Sequence, residues 1–245
     1  GNHTITAATI LGDATIVASD LTGSFLTSDI SGIVGVATVT GPDIVGFSSL
    51  KLAGVAASSA IVTLGVNGVT DQLVTGSTNA SGGIELINFV AGATGDAVDL
   101  DHSGILAMAT QIIEVDLSTT ALGTTDTVVV DSVSAAFNAD TLASGTVILN
   151  VDGNFATLGM LETALEASGS REITPDATGA ADDLFLVSWD DGTNSYLTAV
   201  VTAAGLQDNT APVAGDLTAT NLITFTGVAD ATTLIAANFG TTIVV

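Results

Sequence analysis

Positive charge is what this chain lacks most: Lys51 and Arg171 are its only Lys or Arg residues, against 26 Asp and Glu, for a net charge of −24. Two cations build no phosphate-neutralising surface, which excludes nucleic acid as a partner and anionic lipid with it. Salt bridges are correspondingly scarce, so most carboxylates are left to water, to hydrogen-bond donors or to cations. Cysteine is absent, which removes disulfides and thiolate metal sites. His3 and His102 are the only histidines, so no His-x-x-x-His zinc site exists, and neither a Gly-x-Ser-x-Gly elbow nor a phosphate-binding Gly-Lys loop occurs. His102 beside Ser103 is badly placed to activate it, because neighbours on a strand point to opposite faces. Aromatic residues are 4 % of the chain, with one Trp and one Tyr, which is thin equipment for a sugar-cleaving site. No apolar run reaches the roughly 18 residues of a membrane helix. The expectation is a protein that does no catalysis and does not insert into a membrane.

What is present is aliphatic: 47 % of residues are hydrophobic, mostly Val, Ile, Leu and Ala beside abundant Thr and Gly. That mixture favours strands and tight turns over helix bundles, and 245 residues are enough to bury a sizeable core. The expected fold is all-β, mainly antiparallel sandwich or solenoid-like sheets with one or two short helices. In the first part, runs such as ATIVAS, GIVGVATV and SAIVTLGV recur at spacings of about ten residues. The lack of a clean repeat tilts the expectation toward the sandwich. The Gly/Ser/Asn-rich stretch TGSTNASGG divides an N-terminal β region, 1–76, from a C-terminal β domain, 77–245.

Two groups of acidic residues are candidate cation sites. In GGIELINFVAGATGDAVDLDHSG, Ile84, Leu86 and Phe89 predict a buried strand, Gly92 and Gly95 a turn, and Val98 with Leu100 a second strand. Alternation puts Asp99 and Asp101 on one face of that strand with Asp96 nearby. Hard oxygen ligands without His or Cys suit calcium, at affinities that extracellular concentrations satisfy. In the second group, the predicted hairpin DDLFLVSW–DDGTNS–YLTAVV brings Asp190, Asp191 and Asn194 together at its turn, with Phe185, Val187 and Trp189 on one face. Further along, Asp116, Asp126, Asp131 and Asp152 fall at predicted strand ends or turns. The pattern NFATLGMLETALEASG predicts a helix over 154–169, capped by Asn154 and stopped by Gly169. The end of the chain predicts a strand, a short helical turn near Thr232 to Asn238 and an apolar tail.

The segment ELINFVAGATGDAVDL resembles the one that closes the calcium-binding β-roll of RTX proteins exported by type I secretion. Such families usually have Asp before the Phe, where this chain has Asn88. The stretch from Asp182 to Val245 is similar to the C-terminal modules of large acidic surface proteins exported the same way. The resemblance implies secretion to the cell surface or medium, with calcium as the cation. Export directed from the C-terminus also reconciles secretion with a chain that begins GNHTITAATI, without a signal-like segment.

Three readings remain. The preferred one is a self-assembling subunit of a surface layer or extracellular filament, forming a homo-oligomer or polymer. The others are the C-terminal secretion and folding module of a larger RTX-like adhesin, and a carbohydrate-binding surface sandwich.

Overall fold

The computed structural model describes residues 2–6, 10–18, 25–29, 33, 35–41, 50–52, 59–65, 72–75, 83–99, 108–109, 111–112, 128–142, 145–175, 180–203 and 205–239. Its architecture is mostly β, as composition predicts. Among the described residues, nine short strands occupy the first hundred positions: β1 (Asn2–Thr6), β2 (Ala14–Val17), β3 (Phe25–Asp29), β4 (Val36–Thr40), β5 (Leu50–Leu52), β6 (Ser59–Thr63), β7 (Gln72–Thr75), β8 (Ile84–Ile87) and β9 (Ala97–Asp99). Odd-numbered strands form one sheet in the order β1-β3-β5-β7-β9, and even-numbered strands belong to another. All of these pairings are parallel, and register partners lie 23 to 25 residues apart, as in Asn2 opposite Phe25 and Leu73 opposite Val98. Each coil of chain therefore lays one strand in each of two facing sheets, which is a parallel β-solenoid.

The tilt toward a sandwich is thereby corrected over this region. A spacing of about ten residues is the half-coil, and the true repeat is the full coil, at which the sequence conserves only inward alternation. That alternation is direct in β4 and β6, where Ala37, Val39, Ala60 and Val62 are buried and their neighbours half-buried. The ladder crosses the Gly/Ser/Asn-rich joint, because β6 pairs with β8. Residues 76–82 of that joint lie outside the described residues.

The second sheet does not stop at β8. It continues through β17 (Leu217–Phe225), β16 (Ser195–Thr202), β15 (Asp183–Asp190), β13 (Thr146–Asn154) and β11 (Val129–Val133). β15, β16 and β17 are antiparallel neighbours, as the predicted hairpin requires, while β17 joins β8 in parallel. One register row runs unbroken across this sheet: Ala14, Ala37, Ala60, Ile84, Ile223, Leu197, Ser188 and Asn150. Its apolar members belong to a single core with Val98 of the first sheet, Phe225 and Phe239. The remaining short strands are β10 (Gln111–Ile112), β12 (Phe137–Asn138) and β14 (Ile173–Thr174).

A second core lies on the opposite face of β13, β15 and β16, under the helix α1 (Leu158–Leu165). Leu161, Ala164 and Leu165 are buried there in one cluster with Phe185, Val187 and Trp189. The helix is shorter than predicted and Asn154 does not cap it. Asn154 closes β13 opposite Asp190, Phe155 N–H donates to the Asp190 carbonyl at 2.9 Å, and Phe155 is buried. Sheet bonding and burial together outcompete a cap, so the cap falls to Thr157, whose hydroxyl accepts from Met160 N–H at 3.3 Å. Replacing Thr157 by Ala is expected to cost about 1 kcal/mol in urea denaturation. No loss would place helix initiation elsewhere.

Candidate functional site at the hairpin tip and the adjoining cleft

The first acidic group is divided by the fold. Asp96 is 2 % exposed, on the same strand face as Val98, and its Oδ2 accepts from Val90 N–H at 2.8 Å. Its own N–H donates to the Val90 carbonyl at 2.7 Å, closing a loop that holds the turn from Gly92 to Gly95. A side chain at position 95 would run into the Val90 carbonyl, which explains that glycine. From the far end of the chain, Asn238 fastens the loop: its Oδ1 accepts from Gly92 N–H at 3.0 Å and its Nδ2 donates to the carbonyls of Gly92 and Asp96 at 3.1 and 2.7 Å. Asp99 occupies β9, its backbone opposite Val74. Its side chain lies outside the described residues, as do Leu100, Asp101, His102, Asp116 and Asp126. Among the described residues, no three acidic or His side chains gather into a metal-holding group.

The second acidic group is brought together, and its oxygens are occupied by the turn itself. Asp191 Oδ1 accepts from Thr193 and Asn194 N–H, both at 2.8 Å, and Oδ2 accepts the Tyr196 hydroxyl at 2.6 Å. Asn194 Oδ1 accepts from Gly227 N–H at 3.0 Å, tying the tip to the turn after β17. Asp190 points to the other face, buried, with Oδ1 on Gly192 N–H at 3.0 Å and Oδ2 on Ala231 N–H at 3.2 Å. Asp131 accepts from the neighbouring Ser132 N–H, and Asp152 is exposed near the end of β13. Arg171 donates to the carbonyls of Asp152 at 2.8 Å and Ser170 at 3.0 Å.

These surroundings drive the two adjacent carboxyls in opposite directions. Burial pushes Asp190 above the ordinary carboxylate range, and the nearby charges of Asp230 and Asp152 add to it, against two backbone N–H bonds that pull it down. For Asp191, burial also pushes upward, but the hydrogen bonds from Tyr196, Asn194 and Thr193 outweigh it and the net shift is down. The signs follow by linkage. Asp190 contributes stability that is complete below the ordinary carboxylate value and lost as pH rises through its raised value. Asp191 contributes stability present above the ordinary value and lost as pH falls through its lowered one. A carbon-detected NMR titration of the side-chain carboxyls is expected to find Asp190 titrating above ordinary Asp and Asp191 below. The reverse order would contradict the hydrogen-bond assignment.

No family model, curated protein or solved structure matches this chain.

On the outer face of the long sheet, Thr15, Thr38, Ile61, Glu85, Thr224, Tyr196 and Trp189 stand in one register row over seven strands. The chain's one Trp and one Tyr thus meet as cross-strand partners, stacked with ring centroids 4.4 Å apart at 21°. Trp189 is buried, and its Nε1 donates to Thr198 Oγ1 at 2.8 Å, which donates in turn to Asn221 Oδ1 at 2.6 Å. Tyr196 is half-buried and forms a wall of an open cleft of about 400 Å³ with Glu85, Thr224, Ile61 and Ser59. Glu85 also accepts from Thr226 Oγ1 at 3.0 Å. Sequence reasoning missed Tyr196 and Glu85. The only available signal was that DLFLVSWDDGTNSYLTAVV is a hairpin whose register pairs position 189 with 196.

Proposed function

We propose that the chain is a non-catalytic structural protein of the bacterial cell exterior, a subunit exported by type I secretion that self-assembles into a surface layer or extracellular filament, with calcium as its counter-ion. The observation that carries this reading is the long sheet, whose aliphatic inner row passes from solenoid coil to C-terminal strands and whose outermost described strands are β2 and β11. An outermost strand offers unpaired N–H and C=O groups to a strand of another copy. Joining two different edges is a heterologous contact, which propagates rather than closes. The β2 end favours such burial, since Val17 is 65 % and Leu11 87 % exposed. A net charge of −24 opposes association until cations screen it, and millimolar calcium outside the cell does so.

Gel filtration with a chelator and then with calcium tests this reading. The expected result is a small species in chelator and large assemblies in calcium, with the paired substitution Leu11→Lys and Val17→Lys holding the chain small at an unchanged melting midpoint. A monomer at every calcium level would overturn it. The melting midpoint of the native chain is expected to rise by a few degrees at calcium about tenfold above its dissociation constant. A flat response would remove calcium from the account and leave assembly to other contacts.

A further inference from the structure

The cleft beside Tyr196 has a chemistry that assembly does not use. One wall is the face of an aromatic ring, because Trp189 covers the other face of Tyr196 and Thr224 and Glu85 continue the row on the cleft side. The floor is the outer surface of β6 and β8, where Ile61 supplies an apolar patch next to the Glu85 carboxylate. Among the described side chains, none that lines the cleft is cationic. An anionic ligand would meet a carboxylate without a compensating charge, and its burial there is unfavourable.

The tyrosine is also prepared electrically. Its hydroxyl donates to Asp191 Oδ2 at 2.6 Å, a short bond to a charged acceptor. Such a bond shifts electron density from the O–H into the phenol ring and makes its face more negative. A cation over an aromatic face gains from the ring quadrupole, and gains more where water is partly excluded. The Glu85 carboxyl stands in the same register row, one strand beyond Thr224.

We propose that this cleft binds a small organic cation, an alkylammonium group on a short apolar stem, with the ammonium held between the face of Tyr196 and the Glu85 carboxylate and the stem on Ile61. Inorganic cations lack the stem, and neutral sugars or alcohols lack the charge. The site belongs to the folded chain and needs no second copy, so it stands or falls separately from assembly.

Isothermal titration calorimetry with n-butylammonium chloride, at constant ionic strength and in chelator so that the chain stays unassembled, tests the proposal. The expected result is one saturable site per chain, with n-butanol binding at least tenfold more weakly. Tyr196→Leu and Glu85→Gln are each expected to weaken n-butylammonium about tenfold. Tyr196→Phe, which keeps the ring and removes the bond to Asp191, is expected to weaken it about threefold. Asp208→Asn neutralises an exposed carboxylate in the connection beyond the other end of β16 and is expected to change nothing. Melting midpoints of all four variants establish that they are folded, and Glu85→Gln keeps the test open if Tyr196→Leu is not. The proposal is overturned if n-butanol or glucose binds the cleft as well as n-butylammonium, if heat is spread over many weak sites, or if Tyr196→Phe and Glu85→Gln leave affinity unchanged.

Discussion

Replacing Phe225 by Ala is expected to remove about 3–5 kcal/mol of stability, a large share of the roughly 5–15 kcal/mol that holds a typical domain together. Phe225 is fully buried where the parallel solenoid meets the antiparallel strands. Its ring lies 4.7 Å from Phe89, tilted at 58°, and 6.2 Å from Phe239, edge-on at 84°. In register it stands between Leu86 of β8 and Ser195 of β16. The whole ladder between β17 and β8 consists of Ile223, Thr224 and Phe225 with their partners, so truncation there empties the joint between the two halves. Urea denaturation followed by circular dichroism measures the loss. Because the splice is short, the variant is expected to unfold in two transitions, with the solenoid coils and the C-terminal strands separating. Phe225→Leu keeps most of the volume and is expected to cost less than half as much. A loss under about 1 kcal/mol for Phe225→Ala would show that the halves are held together elsewhere.

The second large effect is expected at Asn238, which no helical or strand pattern draws attention to. Its amide is fully buried and makes four bonds: it accepts from Gly92 N–H at 3.0 Å and Ile235 N–H at 3.1 Å, and donates to the Gly92 and Asp96 carbonyls. Asn238→Ala removes four hydrogen bonds, one buried and three part-buried, at about 1 kcal/mol each, so a total of ~4 kcal/mol is expected. The amide proton of Gly92 reports this directly. Its hydrogen exchange is expected to accelerate by at least a hundredfold in the variant while amides in β15 and β16 lose only what global stability loses. Unchanged protection at Gly92 would mean that the loop from Val90 to Asp96 holds itself.

The sequence made the fold class legible through its aliphatic composition, and the hairpin through Asp191-Gly192 between two alternating runs. The solenoid was harder, because a coil of 23 to 25 residues repeats only the inward alternation of Ala37 and Val39, Ala60 and Val62, while the outward positions drift from Thr38 to Ile61 to Glu85. With no fixed outward residue, no repeat emerges by eye. Asp190, Asp191 and Asn194 are adjacent in the hairpin loop, yet a chain of letters does not reveal that backbone N–H groups and the Tyr196 hydroxyl occupy their oxygens. Proximity in sequence groups Asp96 with Asp99 and Asp101, whereas the fold buries Asp96 on the core face with Val98. Asn238 and Glu85 were beyond reach because their partners are more than 140 residues away, at Gly92 and Thr226 respectively.

Electron micrographs of the purified chain, taken first in chelator and then after dialysis into millimolar calcium, test the assembly reading most directly. The account predicts dispersed particles that convert to fibres or sheets, reversibly on removal of calcium. Particles that remain dispersed and single in both conditions would contradict it.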